Sequence, residues 1–272
     1  MDENFFYLRP SLEIRPSSER IDPLQQKDCL TPHIVREYEQ LLSQRSPSLE
    51  TFSVVYVKNP SLQEDGKLKG TFVEGPPLWR RATEEALRKK TLSYGQVDFF
   101  GIDAFVVVLC ELSNKPPFLF SQLQTNEKGE LNTSITYAQG SVSLGLSDWS
   151  FSKAFTSLLK EKAYDESTTQ LLLPKETRIL SPDYCISTSS ALSFGLVRKI
   201  TSQEDFENLL TASLWGEAFR QTSFSFLSLG GENNFFLLKN GRGAYRRQSF
   251  QLTDYPLSSI EAKIFENLRQ NF

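Results

Sequence analysis

Asp98, Asp103 and Glu111 punctuate the apolar stretch VDFFGIDAFVVVLCELSNK, one near its start, one inside it and one toward its end. Metal-dependent nucleases set an acid on one strand and an acid two residues before a lysine on the next, so that carboxylate oxygens hold Mg2+. Asp98, Asp103 and Glu111 are therefore an alternative catalytic set, for an Mg2+-dependent nuclease. The lysine is misplaced, because Ser113 stands two residues after Glu111 and Lys115 two beyond it. An acid flanking an apolar strand also serves simply as its solvated end.

A second pattern, Ser150-Phe151-Ser152-Lys153, resembles the S-x-x-K of penicillin-binding enzymes, where a lysine one turn on takes the proton of a serine at a helix start. Lys239-Asn240-Gly241 resembles the later K-T-G of those enzymes, but no convincing S-x-N lies between, and four-residue patterns recur by chance. His33 is the single histidine, which leaves zinc hydrolases, cupin oxygenases and Ser-His-Asp hydrolases without their defining groups. It stands four residues before Glu37, a spacing that metal ligands sometimes use, and reads better as a surface histidine beside a glutamate. No G-x-x-x-x-G-K loop is present, and Gly75 is followed by Pro-Pro rather than Lys-Ser, so nucleotide hydrolysis of the common kind has no cradle.

The sharpest charge pattern is FFLLKNGRGAYRRQSF, residues 235–250, in which Lys239, Arg242, Arg246 and Arg247 fall within nine residues with no acid among them. Asn240-Gly241 suits the two-residue type I′ turn of a hairpin. Tyr245 and Arg247 then share one face of the return strand and Arg246 takes the other. LWRRATEEALRKK adds Arg80, Arg81, Arg88, Lys89 and Lys90, offset in part by Glu84 and Glu85. Side by side, helix and hairpin would form a basic area for phosphate or for an acidic protein surface. Cations on an edge strand also act simply to prevent edge-to-edge association.

The elements that must position these groups follow from periodicity. Residues 33–44 carry Ile34, Tyr38, Leu41 and Leu42 on one helical stripe, with Thr31 as N-cap and Pro32 as first helical residue. A strand over 51–58 and a turn at Asp65-Gly66 lead to KLKGTFV, and 78–90 form a helix with Trp79, Ala82 and Ala86 inward. The apolar stretch after it is one strand, or two with a turn at Gly101. PFLFSQLQ and LNTSITYA make a hairpin, and 147–162 a helix capped by Ser147 or Asp148. A strand within 184–198 precedes a helix with a Thr201/Glu204 capping box, and the chain ends in a helix with a Ser258/Glu261 capping box. Because strands join mostly through hairpins, the class is α+β, with mostly antiparallel sheet and about five packing helices. Residues 1–30 read as an irregular arm, and a linker near 164–170 separates domains or subdomains over 31–163 and 171–272, unless 31–272 is one domain.

Composition narrows function further. The net charge is −3, and 21 phenylalanines stand against one methionine, which predicts a core held by aromatic contacts. The N-terminal acids and the lack of a long apolar run argue against a signal peptide and a transmembrane segment. Cys29, Cys110 and Cys185 are an odd number without metal-ligand spacing, as expected for reduced thiols in the cytoplasm, with signal-independent export left open. The reading is a non-enzymatic protein-binding, assembly or scaffold protein that needs no cofactor and meets a partner with an acidic surface. Nucleic-acid contact, where it occurs, is expected to be weak.

Overall fold

Apolar residues at helical spacing and at strand alternation give thirteen strands and six α-helices among the residues that the computed structural model describes: 6–8, 11–44, 53–63, 67–113, 115–125, 129–161, 166–173, 181–215, 224–230, 234–239 and 245–271. In chain order these are β1 (Phe6–Leu8), β2 (Ser11–Arg20), α1 (Pro32–Ser43), β3 (Val54–Leu62), β4 (Lys67–Gly75), α2 (Leu78–Arg88) and β5 (Phe99–Cys110). There follow β6 (Phe118–Thr125), β7 (Leu131–Ser134), β8 (Ala138–Ser141), α3 (Phe151–Glu161), α4 (Glu166–Leu172), β9 (Tyr184–Ser187) and β10 (Ala191–Ile200). The last are α5 (Gln203–Trp215), β11 (Phe224–Ser228), β12 (Asn234–Lys239), β13 (Tyr245–Phe250) and α6 (Ser259–Gln270). Helices and mostly antiparallel strands are mixed, as expected. Among the described residues no helix is long and apolar enough to cross a membrane.

The chain gathers into two compact units of three stretches each. The first comprises Met1–Ala104, Gly140–Ala154 and Ile179–Gly195. In it β3 pairs antiparallel with β4, and β2 pairs with β4 in parallel. Residues 11–20 are thus a strand rather than part of an irregular arm. β2 is polar, carries Pro16 and, among the described residues, pairs with β4 alone, and an edge strand tolerates the missing N–H of proline. Helices α1 and α2 bury Ile34, Tyr38, Trp79, Ala82 and Ala86 in one core with Val54, Tyr56 and Val73. β5 passes through Gly101 without a turn.

The second unit comprises Phe105–Gln139, Phe155–Arg178 and Leu196–Phe272. Here β7, β6, β11, β12 and β13 pair successively, each antiparallel to the next. The expected aromatic core is present: Phe118, Phe120, Phe206 and Phe226 meet with centroids 4.9–6.3 Å apart. Phe236 stacks on Phe250 at 4.4 Å, and Tyr255 meets both edge-on. Helix α6 starts with the expected Ser258/Glu261 capping box. Glu261 also accepts from Ser134 Oγ at 2.6 Å and from the Ile135 N–H at 3.0 Å, so the cap residue ties the helix to the end of β7.

Two expected caps move by one to three residues. The α3 cap is Ser150, whose Oγ accepts from the Lys153 N–H at 3.1 Å, and the α5 cap is Ser202, accepting from the Asp205 N–H at 3.0 Å. Hydroxyls stood close together in both places, and the one three residues before an available N–H takes the role. The hairpin of β12 and β13 also differs in register. Lys239 pairs with Tyr245 and Leu238 with Arg246, which leaves five residues between the strands. A two-residue turn on Asn240-Gly241 would have paired Lys239 with Arg242 instead. Residues 240–244 lie outside the described residues, as does the expected Asp65-Gly66 turn.

Candidate interaction site

Pro76 and Pro77 end β4 and start α2, since proline cannot continue a strand ladder but suits a helix entrance. The entrance is locked from β3: Tyr56 Oη donates to Pro76 O at 2.7 Å and accepts from the Arg80 N–H at 3.2 Å. The Arg80 side chain then crosses to β5. Its guanidinium donates to both Asp103 oxygens at 2.5 and 2.9 Å, to Glu84 Oε1 at 2.8 Å and to Ser141 Oγ at 2.9 Å. Gly101 makes room, because a Cβ there would stand 2.7 Å from Arg80 Cδ. Burial by itself would lower the Arg80 pKa; the hydrogen bonds and charges of Asp103 and Glu84 outweigh it and raise it. Burial likewise raises Tyr56. Both groups therefore keep their protons at any working pH and act as structural clamps.

A cavity of about 340 Å³ opens beside this clamp, with Arg81, Glu84, Ser141 and Ser143 among its lining residues. Arg80 directs four hydrogen bonds to Asp103, Glu84 and Ser141, and Arg81 and Glu84 place opposite charges at the lining.

The remaining cations of α2 are largely neutralised. Arg88 forks onto Glu85 at 2.5 and 2.9 Å. Lys89 reaches Glu37 Oε2 at 2.7 Å and Glu85 at 3.6 Å. These contacts lower Glu85 and raise Arg88 and Lys89. Glu37 is itself buried on α1, so Lys89 is its counter-charge and not a free ligand for a partner. Arg81 and Lys90 are exposed, and neither makes an ion pair among the described residues. Of the five helix cations expected to form a basic area, three serve the fold.

The hairpin differs. Arg246 and Arg247 are exposed on β13, and neither pairs with an acid among the described residues. Consecutive strand residues point to opposite faces, so the two cations flank the strand on both sides. Arg247 lies over Phe235 with Cζ 4.0 Å from the ring centroid, and Phe235 stacks on Phe226 at 4.7 Å. A guanidinium held over an aromatic face keeps its charge and its N–H edges while losing freedom. β13 ends the strand order, with β12 its one neighbour among the described residues. Arg242 and the side chains of Lys239 and Tyr245 lie outside what is described. α2 and the hairpin belong to different units.

The three acids of the alternative set each have a place. Asp98 is exposed before β5, and its carbonyl accepts from the Asn59 N–H at 2.8 Å. Asp103 is held by Arg80, and Glu111 faces Lys199 Nζ at 2.6 Å. No three His, Cys, Asp or Glu residues gather for a metal ion among the described residues. Ser150 is occupied as a helix cap, and Lys153 Nζ pairs with Asp148 at 2.7 Å instead of facing that hydroxyl. His33 is exposed, while Glu37 turns inward to Lys89.

Sequence reasoning missed Glu37, Tyr56 and Ser141 as organising groups. A glutamate on the apolar stripe of α1, one residue before the inward Tyr38, was the one available signal. No protein-family model matches the chain, and no curated protein matches it either.

Proposed function

We propose that the chain is a non-enzymatic protein-binding factor, of the assembly or scaffold kind, that meets an acidic partner through Arg246 and Arg247 of β13. The supporting observation is the difference between the two basic segments. Arg80, Arg88 and Lys89 are consumed by carboxylates of their own unit, whereas both β13 arginines stand exposed and pair with no acid among the described residues. Arginine on an aromatic platform is also a frequent anchor of protein interfaces. Edge protection would equally place cations there, and only partner binding makes their sign matter to another molecule.

The test uses fluorescence anisotropy of a labelled poly-glutamate peptide titrated with the full chain. Arg246→Glu with Arg247→Glu is expected to abolish binding while the melting temperature falls only slightly, because a solvated surface charge changes stability by about 0.5 kcal/mol or less and the Arg247 contact with Phe235 contributes about 0.5–1 kcal/mol. Unchanged binding by that variant assigns the two arginines to edge protection and removes the reading.

A further inference from the structure

Resting on that reading, we infer that the acidic partner binds as an extended segment that adds a strand to the outer edge of β13. The register of β12 against β13 runs without a shift from Asn234↔Phe250 to Lys239↔Tyr245. In an antiparallel pair, residues alternate between exchanging hydrogen bonds with their neighbour and pointing N–H and C=O away from it. Three of the six β13 residues therefore direct both backbone groups outward, either Tyr245, Arg247 and Ser249 or Arg246, Gln248 and Phe250. Nothing among the described residues pairs with that edge. An unpaired ladder of this kind is a template for one more strand.

Three features select the occupant. The edge offers donors and acceptors in equal number, and a peptide backbone satisfies both, whereas phosphates accept hydrogen bonds but cannot supply donors for the carbonyls. Arg246 and Arg247 sit on opposite faces, so adjacent acids in an added strand meet one arginine each across the pair. A second copy of this chain pairing β13 on β13 would bring arginines near arginines, which like-charge repulsion disfavours. The best-fitting occupant is an extended peptide with two consecutive acids between β-forming residues.

The experiment uses the full chain and three labelled peptides of about eight residues. One carries Thr-Val-Glu-Glu-Thr-Val, one has both Glu replaced by Gln, and one keeps both Glu but is N-methylated at alternate backbone nitrogens. Affinity is read by anisotropy, and hydrogen exchange reports the amides of residues 245–250. The account expects the Glu peptide to bind at least tenfold more tightly than either control and to protect outward amides of β13. Equal binding of the N-methylated peptide overturns strand addition while leaving charge-based capture of an acidic partner intact. Equal weakness of all three peptides, with no change on Arg246→Glu and Arg247→Glu, overturns both. Tighter binding of a DNA duplex than of the Glu peptide at the same salt overturns the choice of occupant.

Discussion

Arg80 and Asp103 form a two-pronged pair between α2 and β5, with Nη1 to Oδ1 at 2.5 Å and Nη2 to Oδ2 at 2.9 Å, and each side chain is only 23% exposed. This relationship explains why a chain with adjacent arginines on a helix does not present them both to a partner. The inner arginine is a bracket of the fold, and removing its acid leaves a half-buried charge without its main counter-ion.

Asp103→Ala is therefore expected to destabilise the protein by about 1–3 kcal/mol, and a double-mutant cycle with Arg80→Ala to show coupling of similar size. Gly101→Ala should cost about 1–2 kcal/mol by pushing on Arg80 Cδ. That cost should shrink in the Asp103→Ala background, where Arg80 is free to move aside. Urea unfolding of the five variants checks the set.

Lys90 has φ 58° and closes α2, with its N–H on Leu87 O at 3.0 Å and the Thr91 N–H on Ala86 O at 3.0 Å. This six-to-one closure normally uses glycine at the left-handed position. Lys90→Gly should raise stability by about 0.5–1 kcal/mol, the relief of left-handed strain exceeding the added entropy of the unfolded chain. A denaturant midpoint that falls would contradict it.

Burial pushes the thiols of Cys110 and Cys185 up to about 12, from an ordinary 9.0. A folded-state pKa above the unfolded one gives stability that is complete below pH 9 and is lost as the pH rises from 9 toward 12. Melts at pH 8 to 11 should show this decline, and Cys110→Ala with Cys185→Ala should flatten it. Thiol titration of the native protein at pH 8 should find Cys29, which is exposed, reacting well before the other two.

Glu261 accepts from Ser258 Oγ at 2.8 Å, from Ser134 Oγ at 2.6 Å and from the Ile135 N–H at 3.0 Å. Glu261→Ala should cost about 1–3 kcal/mol, chiefly through the Ile135 N–H, which loses its carboxylate acceptor, and through the lost tie to Ser134. Ser258→Ala removes only the cap, at about 1 kcal/mol. Equal losses in thermal melts would show that the link to β7 contributes nothing.

Local rules carried well where one residue could do the work. The stripe Ile34, Tyr38, Leu41 gave a helix, Ser258 and Glu261 gave its counterpart at the end of the chain, and the phenylalanines formed an aromatic core. Polar edge strands were harder. SLEIRPSSER alternates only over Ser11–Arg15 before Pro16 and a polar run break the pattern, and it is a strand because β4 offers it a parallel neighbour. The register of β12 and β13 depends on a loop whose length Asn240-Gly241 does not set. The fate of the cations was the least legible of all. Whether Arg80 or Lys89 faces a partner depends on Asp103 and Glu37, which are distant in sequence and are brought near only by the fold.

The central claim is that the sign of charge on β13 determines capture of an acidic partner, and the comparison of two charge reversals tests it most directly. Arg246→Glu with Arg247→Glu is set against Arg81→Glu with Lys90→Glu, exposed cations of α2 and of the turn after it that make no ion pair among the described residues, and each is titrated with labelled poly-glutamate near physiological salt. The account predicts loss of binding for the β13 pair, near-wild-type binding for the α2 pair and melting temperatures close to wild type for both. Equal binding by wild type and the β13 variant would contradict it.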